Sequence, residues 1–117
     1  MSEQVLDLNE FLERVQEDKD LLLELLDIFS EDYQEKRKLI TNAVAKNDFE
    51  SIKSICHSLK GASGNISAKA LREVFVNLEQ MGRNNDLTGA TELMKAMDQQ
   101  FSDLASRIIA VKSEYKK

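Results

Sequence analysis

Hydrophobic residues recur every three or four positions along most of the chain, with polar residues at the positions between them. This spacing gathers apolar side chains on one side of an α-helix, because a helix turns by about 100° per residue. The pattern predicts frayed residues 1–6, then helices over residues 8–16, 20–46, 49–63, 68–84 and 88–115. Four long amphipathic helices with short connections predict an all-α fold: an up-and-down antiparallel four-helix bundle with an additional short N-terminal helix.

Polar residues mark the boundaries between the predicted helices. Either Asp18 or Asp20 can begin the second helix, because an aspartate side chain accepts hydrogen bonds from free amides at a helix N-terminus. Asn47-Asp48 is a turn and cap signal before the third helix. Ser67 and Thr88 are the candidate N-caps of the fourth and fifth helices. The connections are therefore short, which favours antiparallel packing of successive helices.

The composition fits a single domain, residues 1–117, with one hydrophobic core. Hydrophobic residues make up 42% of the chain and charged residues 32%, enough for a buried core and a polar surface. Proline is absent and only four glycines occur, which favours long helices. The last helix carries apolar residues at alternating spacings of four and three. That pattern suits packing inside a bundle, and we expect a monomer.

Charge and hydropathy exclude several classes of function. The net charge of −5 argues against nucleic acid as a partner, because that binding depends on basic patches. No run of 18 apolar residues is present, so we predict no membrane insertion, and the acidic N-terminus lacks the pattern of a signal peptide. The expected location is the cytoplasm. Cys56 is the only cysteine, so neither an intramolecular disulfide nor a cysteine metal cluster is expected.

The segment around residue 57 combines the only histidine of the chain with two of its four glycines. On a helix, His57 lies on the same side as Lys53, Lys60, Gly61 and Gly64. The opposite side is predicted to face the core and is formed by Ile52, Ile55, Cys56, Leu59, Ala62, Ser63 and Ile66. We therefore predict a solvent-exposed imidazole with a lysine about one turn away.

The two glycines of this segment need an explanation, because each costs about 0.5–1 kcal/mol relative to alanine inside a helix. Gly61 and Gly64 follow His57 by about one and two turns on the same side. Without side chains there, another macromolecule can approach the imidazole closely. A histidine in the core would gain nothing from glycines on its outer side, so the pattern indicates an imidazole presented to a partner.

The string that begins at the histidine resembles the signature of a known family. It reads His57-Ser58-Leu59-Lys60-Gly61-Ala62-Ser63, with Ile66 at the hydrophobic position that follows. This string is similar to the signature of histidine-containing phosphotransfer (HPt) domains, the intermediates of two-component phosphorelays. The similarity extends through residues 25–32 and 78–83. Ser67-Ala68 stands where the family usually has Gly-Ala, a change that fits an N-cap because serine and glycine both serve there.

The resemblance implies that His57 accepts a phosphoryl group on Nε2 and passes it on. A neutral imidazole is a competent nucleophile near pH 7. Lys60, on the same face at i+3, would stabilise the negative charge of the phosphoryl oxygens. Lys53, at i−4, is a second cation on that face. The predicted receiver-docking positions are Lys53, Gly61, Gly64 and Arg83.

The sequence allows two interpretations of Arg83. It matches a basic residue that some relatives carry near the docking face. Alternatively, it is a last-turn cation that interacts with the negative end of its own helix.

The resemblance also implies the partners: response-regulator receiver domains and a hybrid sensor histidine kinase. The receiver would bring the reacting aspartate and its Mg²⁺, so no cofactor of the chain's own is expected. The sequence has no Gly-rich phosphate loop, and we expect no ATP-dependent kinase activity. An alternative function is a helical module that binds a receiver without accepting phosphate. A four-helix metal or haem protein is disfavoured, because one surface histidine cannot supply the ligands.

Overall fold

The computed structural model describes residues 2–116, which form six helical segments and no strand. The segments are α1 (Ser2–Val5), α2 (Leu8–Arg14), α3 (Lys19–Ala45), α4 (Phe49–Asn65), α5 (Lys69–Asn84) and α6 (Ala90–Tyr115). The predicted all-α fold, a four-helix bundle with an N-terminal helical addition, is confirmed. None of the described helices combines the length and the apolar content needed to cross a membrane.

Helices α3 to α6 form the bundle, and each packs against the next one along the chain. The connections are residues 46–48, 66–68 and 85–89, too short for anything but antiparallel neighbours. With 27 and 26 residues, α3 and α6 are each about 40 Å long at 1.5 Å per residue, close to the 47 Å length of the molecule. The shorter helices α4 and α5 pack most extensively against each other.

The N-terminal segments α1 and α2 pack against three helices of the bundle. Helix α1 contacts α5 and α6, and α2 contacts α3. Leu6 and Phe11 are each only 1% exposed, and the amide of Asp7 donates to the carbonyl of Ser67 at 3.0 Å. The prediction of frayed residues 1–6 is therefore wrong for residues 2–6, while Met1 lies outside the described residues. Burial of apolar side chains orders this segment.

Two of the predicted helix caps are present. Asp18, rather than Asp20, begins α3 by accepting a hydrogen bond from the amide of Leu21 at 3.0 Å. Asp48 caps α4 in the same way through the amide of Ser51. These side chains satisfy amides that a helix leaves without an internal partner.

The other two predicted caps are wrong. The residue before α5 is Ala68 and the residue before α6 is Gly89, and neither makes a side-chain cap bond. Ser67 instead has a left-handed backbone with φ +62°, and its hydroxyl donates to Glu10 Oε1 at 2.6 Å. A left-handed backbone conformation favours glycine. The usual Gly of the family at this position is therefore explained by the backbone conformation and not by N-capping. Thr88 precedes a left-handed Gly89, so the helix begins after it.

A polar contact links α3 to α6 across the bundle. Tyr33 is 1% exposed, and its ring stacks on that of Phe101 with centroids 4.0 Å apart. Its hydroxyl donates to Asp98 Oδ1 at 3.3 Å. Arg37 donates to both oxygens of Asp98, at 2.6 and 2.8 Å. This arrangement, the Arg37–Asp98 pair, connects the two long helices.

Candidate functional site

Helix α4 buries one side and exposes the other, as its sequence predicts. The predicted core face is confirmed, with Ile52, Cys56, Leu59, Ser63 and Ile66 buried and Ile55 and Ala62 partly buried. The His57 side chain lies on the opposite side and is 66% exposed. Cys56, although adjacent in sequence, is fully buried, and burial raises the pKa of its thiol to about 12. It is therefore an inert thiol and not a partner of the imidazole.

A buried carboxylate lies directly beneath the exposed imidazole. Glu79 of α5, whose side chain is 5% exposed, places Oε2 at 2.8 Å from His57 Nδ1. Its other oxygen, Oε1, lies 2.7 Å from Lys60 Nζ. Arg83, one turn further along α5, donates to Oε2 at 3.1 Å. One carboxylate thus connects the histidine, the lysine and the arginine, and we call these four residues the Glu79 cluster.

The ionisation of Glu79 determines which nitrogen of His57 is free. Burial alone would raise the pKa of the Glu79 carboxyl, but hydrogen bonds from Lys60, His57 and Arg83 outweigh it and lower the pKa to about 2. An ionised carboxylate can only accept hydrogen bonds, so His57 Nδ1 carries the proton in this contact. The lone pair of the neutral ring then resides on Nε2, the nitrogen that Glu79 does not occupy.

The sequence-based prediction did not single out Glu79, although a signal for it exists. The buried face of α5 contains Leu71, Val74, Phe75, Leu78 and Gly82. Glu79 falls four residues after Phe75 and three before Gly82, a position where the helical pattern calls for an apolar residue. A charged residue at a core position needs charged or hydrogen-bonding partners. Here the neighbouring helix provides Lys60 and His57, and α5 itself provides Arg83.

The structure separates the predicted docking residues into different environments. Arg83 joins the Glu79 cluster, so it is not simply a last-turn cation at its helix terminus. Lys53 lines the same groove as His57 and Glu79, but its ammonium pairs with Glu50 at 3.0 Å. The site therefore brings Lys60 and Arg83 together with His57, while Lys53 lies at its edge.

The two glycines of α4 also differ. A β-carbon added at Gly61 would meet no atom within 4 Å, so the surface one turn after His57 is open. At Gly64 the added carbon would lie 3.4 Å from two side-chain atoms of Arg72, which covers that position. Close approach to the imidazole is thus possible over Gly61, whereas a partner would have to displace Arg72 to reach Gly64.

The arrangement suits a nucleophile that receives an anion. Two cations surround one carboxylate beside a neutral imidazole, so the Glu79 cluster has a net charge of +1. Such a set attracts a negatively charged group and repels a divalent cation. The imidazole is exposed, oriented by a hydrogen bond and free at Nε2, the features of an activated nucleophile.

Comparisons with known proteins agree with this geometry. The family model described as the Hpt domain matches residues 24–107. Among solved structures, the chain is similar to histidine-containing phosphotransfer protein B (HptB) from Pseudomonas aeruginosa PAO1, with 29% sequence identity and a TM-score of 0.79. The match covers 92% of this chain and 91% of that protein. Comparison with curated proteins gives no match.

The family model covers most of the bundle, including the complete Glu79 cluster. Hpt proteins are phosphotransfer intermediates and not kinases, with partners such as receiver domains and kinases. The resemblance identified from the histidine string is thereby confirmed, and no finding favours the alternative of a module that binds without accepting phosphate. The chain belongs to the Hpt domain family, and its function is histidine phosphotransfer in phosphorelays.

Proposed function

We propose that His57 is the phosphorylated residue and that Nε2 is the reacting atom. The observation that carries this proposal is the 2.8 Å contact between His57 Nδ1 and the buried carboxylate of Glu79. That contact occupies one ring nitrogen and leaves the other free on an exposed side chain. His57 is also the only histidine in the sequence, so no other residue can form a phosphohistidine.

The transfer step follows from this tautomer. The lone pair of Nε2 attacks the phosphorus of an aspartyl phosphate on a receiver domain. An N–P bond forms, the P–O bond to the aspartate breaks, and the aspartate leaves as a carboxylate. The imidazole ring becomes positively charged, and Glu79 stabilises that charge through the proton on Nδ1. The reverse step passes the phosphoryl group to an aspartate of another receiver and restores the neutral ring.

Lys60 and Arg83 stabilise the phosphoryl group in this proposal. Both cations contact Glu79 in the unphosphorylated protein, at 2.7 and 3.1 Å. A bound phosphoryl group adds negative charge next to them, so each cation gains a second anionic partner. Because the cations are already held near the ring, they need little reorganisation during transfer.

The partner completes the active site. A receiver domain brings the aspartate and its Mg²⁺, and a hybrid sensor histidine kinase supplies the phosphate at the start of the relay. We propose no cofactor and no ATP-dependent kinase activity for the chain itself. The open surface over Gly61 supports close approach of the receiver. A single domain over residues 1–117, a monomeric state and a cytoplasmic location stay predictions.

The test is phosphoryl transfer to the wild-type protein and to the His57→Gln variant. A receiver domain preloaded with phosphate and phosphoramidate, a small donor that releases ammonia, serve as two independent phosphate sources. We expect one acid-labile phosphate on the wild type from each donor, mapped to His57 by peptide mass spectrometry, and none on the variant. The melting temperature should change little, because the side chain is exposed.

Three outcomes separate the possibilities. Labelling of both proteins would place the phosphate elsewhere and refute the assignment of His57. Receiver binding without any label from either donor would favour a docking module. A large fall in the melting temperature of His57→Gln would show that the imidazole is a structural residue.

A further inference from the structure

Gly82 lies inside α5, where its backbone is not among the left-handed positions of the chain. The backbone conformation does not require glycine at this position, since alanine would adopt the same helical backbone and stabilise the helix. Gly82 is also buried, unlike Gly61. The reason for glycine must therefore be the space that a side chain would need.

That space is absent because α5 lies directly on the backbone of α4. A β-carbon at Gly82 would be 3.0 Å from Lys53 N, 3.0 Å from Phe49 O and 3.2 Å from Lys53 Cα. These atoms belong to the first turn of α4, where the amide of residue i bonds to the carbonyl of residue i−4. Backbone atoms in a helix cannot rotate away as the end of a flexible side chain can. An added methyl group would have to push the two helices apart.

The contact of Gly82 lies next to the contact that orients the histidine. Helices α4 and α5 are antiparallel, and Gly82 packs against the backbone of Lys53. About one turn after Lys53 in α4 lies His57, and about one turn before Gly82 in α5 lies Glu79, which contacts the His57 ring. The two contacts are therefore successive layers of one helix–helix interface. The separation of α4 and α5 at Gly82 directly influences the distance between Glu79 Oε2 and His57 Nδ1.

We propose that Gly82 is a positioning residue for phosphotransfer: it sets the close approach of α4 and α5 that holds Glu79 in hydrogen-bond contact with the His57 ring. Gly82 touches neither the ring nor the phosphoryl group and acts through Glu79. The inference rests on the proposed function, in which Glu79 fixes the tautomer that leaves Nε2 free. Displacement of α5 by a few tenths of an ångström takes the 2.8 Å contact to the long end of the hydrogen-bond range.

The experiment measures the tautomer of His57 by the ¹⁵N chemical shifts of its two ring nitrogens, without a partner or phosphate. In the wild type we expect Nδ1 to be the protonated nitrogen of the neutral ring. Glu79→Ala removes the acceptor and should shift the population towards protonation at Nε2. Gly82→Ala should shift it in the same direction, and the rate of labelling by phosphoramidate should fall together with the Nδ1-protonated fraction.

Three control variants separate positioning from general damage. Gly64→Ala adds a methyl group to the same helix pair, but against the flexible side chain of Arg72, and should leave the ring signals unchanged. Val111→Ala destabilises the core of α6 and should also leave them unchanged. All variants are repeated in a Gly61→Ala background, which adds helix propensity in open space and offsets part of the stability lost in Gly82→Ala. No partner is present in these measurements, so the docking surface over Gly61 does not enter them.

Each result decides between the two proposals. If Glu79→Ala shifts the tautomer and Gly82→Ala does not, the role of Gly82 is refuted while the proposed function stands. If Glu79→Ala leaves the tautomer unchanged, the orienting role of Glu79 is refuted and the role of Gly82 with it. A tautomer shift in Val111→Ala as large as that in Gly82→Ala would show that lost stability is the cause.

Discussion

The bundle contains two carboxylates that each bind an arginine and each connect two helices, and the differences between them distinguish a reactive site from a structural contact. Asp98 of α6 pairs with Arg37 of α3 through two hydrogen bonds, and the side chains are 44% and 39% exposed. Glu79 of α5 is 5% exposed and contacts Arg83, Lys60 and His57. The Arg37–Asp98 pair is neutral, whereas the Glu79 cluster has a net charge of +1.

The pKa of both carboxyl groups is lowered, so this shift alone does not identify the site. A hydrogen bond from Arg37 lowers the pKa of Asp98. Hydrogen bonds from three groups lower that of Glu79 to about 2 against the opposing effect of burial. The informative differences are an exposed imidazole above a buried acid and the excess of positive charge. A pair that only holds helices together needs neither feature.

The largest effect expected from this comparison is the loss of activity when each carboxylate is replaced by its amide. Glu79→Gln should slow labelling of His57 by phosphoramidate by roughly a hundredfold, the lower end of what the loss of one preorganised electrostatic contact to a developing charge costs. Asp98→Asn removes the same charge from the other pair and should leave the labelling rate within a factor of about two while lowering stability by about 1 kcal/mol. Equal losses of rate in both variants would contradict the distinction.

A smaller effect is expected when the lysine of the Glu79 cluster is removed. Lys60→Ala should reduce transfer from a phosphorylated receiver roughly tenfold, equal to about 1.4 kcal/mol of transition-state stabilisation. It should also lower the free energy of unfolding by about 1–3 kcal/mol, because Oε1 of a buried carboxylate loses its hydrogen-bond donor. Urea unfolding and transfer kinetics measure the two effects separately.

The matched control for this variant is Lys60→Arg, which keeps the charge. It should retain most of the stability and part of the rate. A variant Lys60→Ala with normal transfer and reduced stability would mean that the lysine serves Glu79 and not the phosphoryl group.

A further expected effect is a change of stability at acid pH that depends on Glu79. Its pKa in the folded protein, about 2, lies below the ordinary value of 4.5. The folded state therefore binds fewer protons than the unfolded state between these values, and stability decreases as pH falls. The contribution of Glu79 is complete above about pH 4.5 and is lost progressively towards pH 2.

Urea unfolding of the wild type and of Glu79→Gln at several pH values from 5 to 2.5 measures this contribution. The difference in unfolding free energy between the two proteins should shrink as the pH falls. A difference that is constant with pH would show that folding does not lower the pKa of Glu79. A difference that grows as the pH falls would show that Glu79 is not ionised in the folded protein, contrary to the tautomer assigned to His57.

The sequence was sufficient to predict the bundle because long-range packing follows from local periodicity here. Each long helix has a continuous apolar stripe, and the short connections leave one way to join them. The exposed side of α4 was predictable for the same reason. The ends of helices were less so, because Ser67 and Gly89 use left-handed backbone and not side-chain caps.

Spacing along the sequence predicted the part of the candidate site that lies on α4, and Arg83 of α5 entered only through the family resemblance. The spacing of His57 and Lys60 alone places them on one face of α4. Which residue of α5 contacts them depends on the rotation of α5 and on its distance from α4. Glu79 could have been suspected as a charge on a buried stripe, yet its pairing with His57 needs the register of two helices. The coverage of Gly64 by Arg72 likewise depends on that register.

The three-residue connection between α4 and α5 has a consequence for how the protein folds. The whole Glu79 cluster lies within this one helical hairpin, and His57 and Glu79 are only 22 positions apart in the chain. The Arg37–Asp98 pair spans 61 positions and requires α6 to return across the bundle. Contacts that close short loops cost less chain entropy and form sooner. We therefore expect the backbone amides around the Glu79 cluster to acquire protection early in pulse-labelled hydrogen exchange, before α3 and α6 pack against each other.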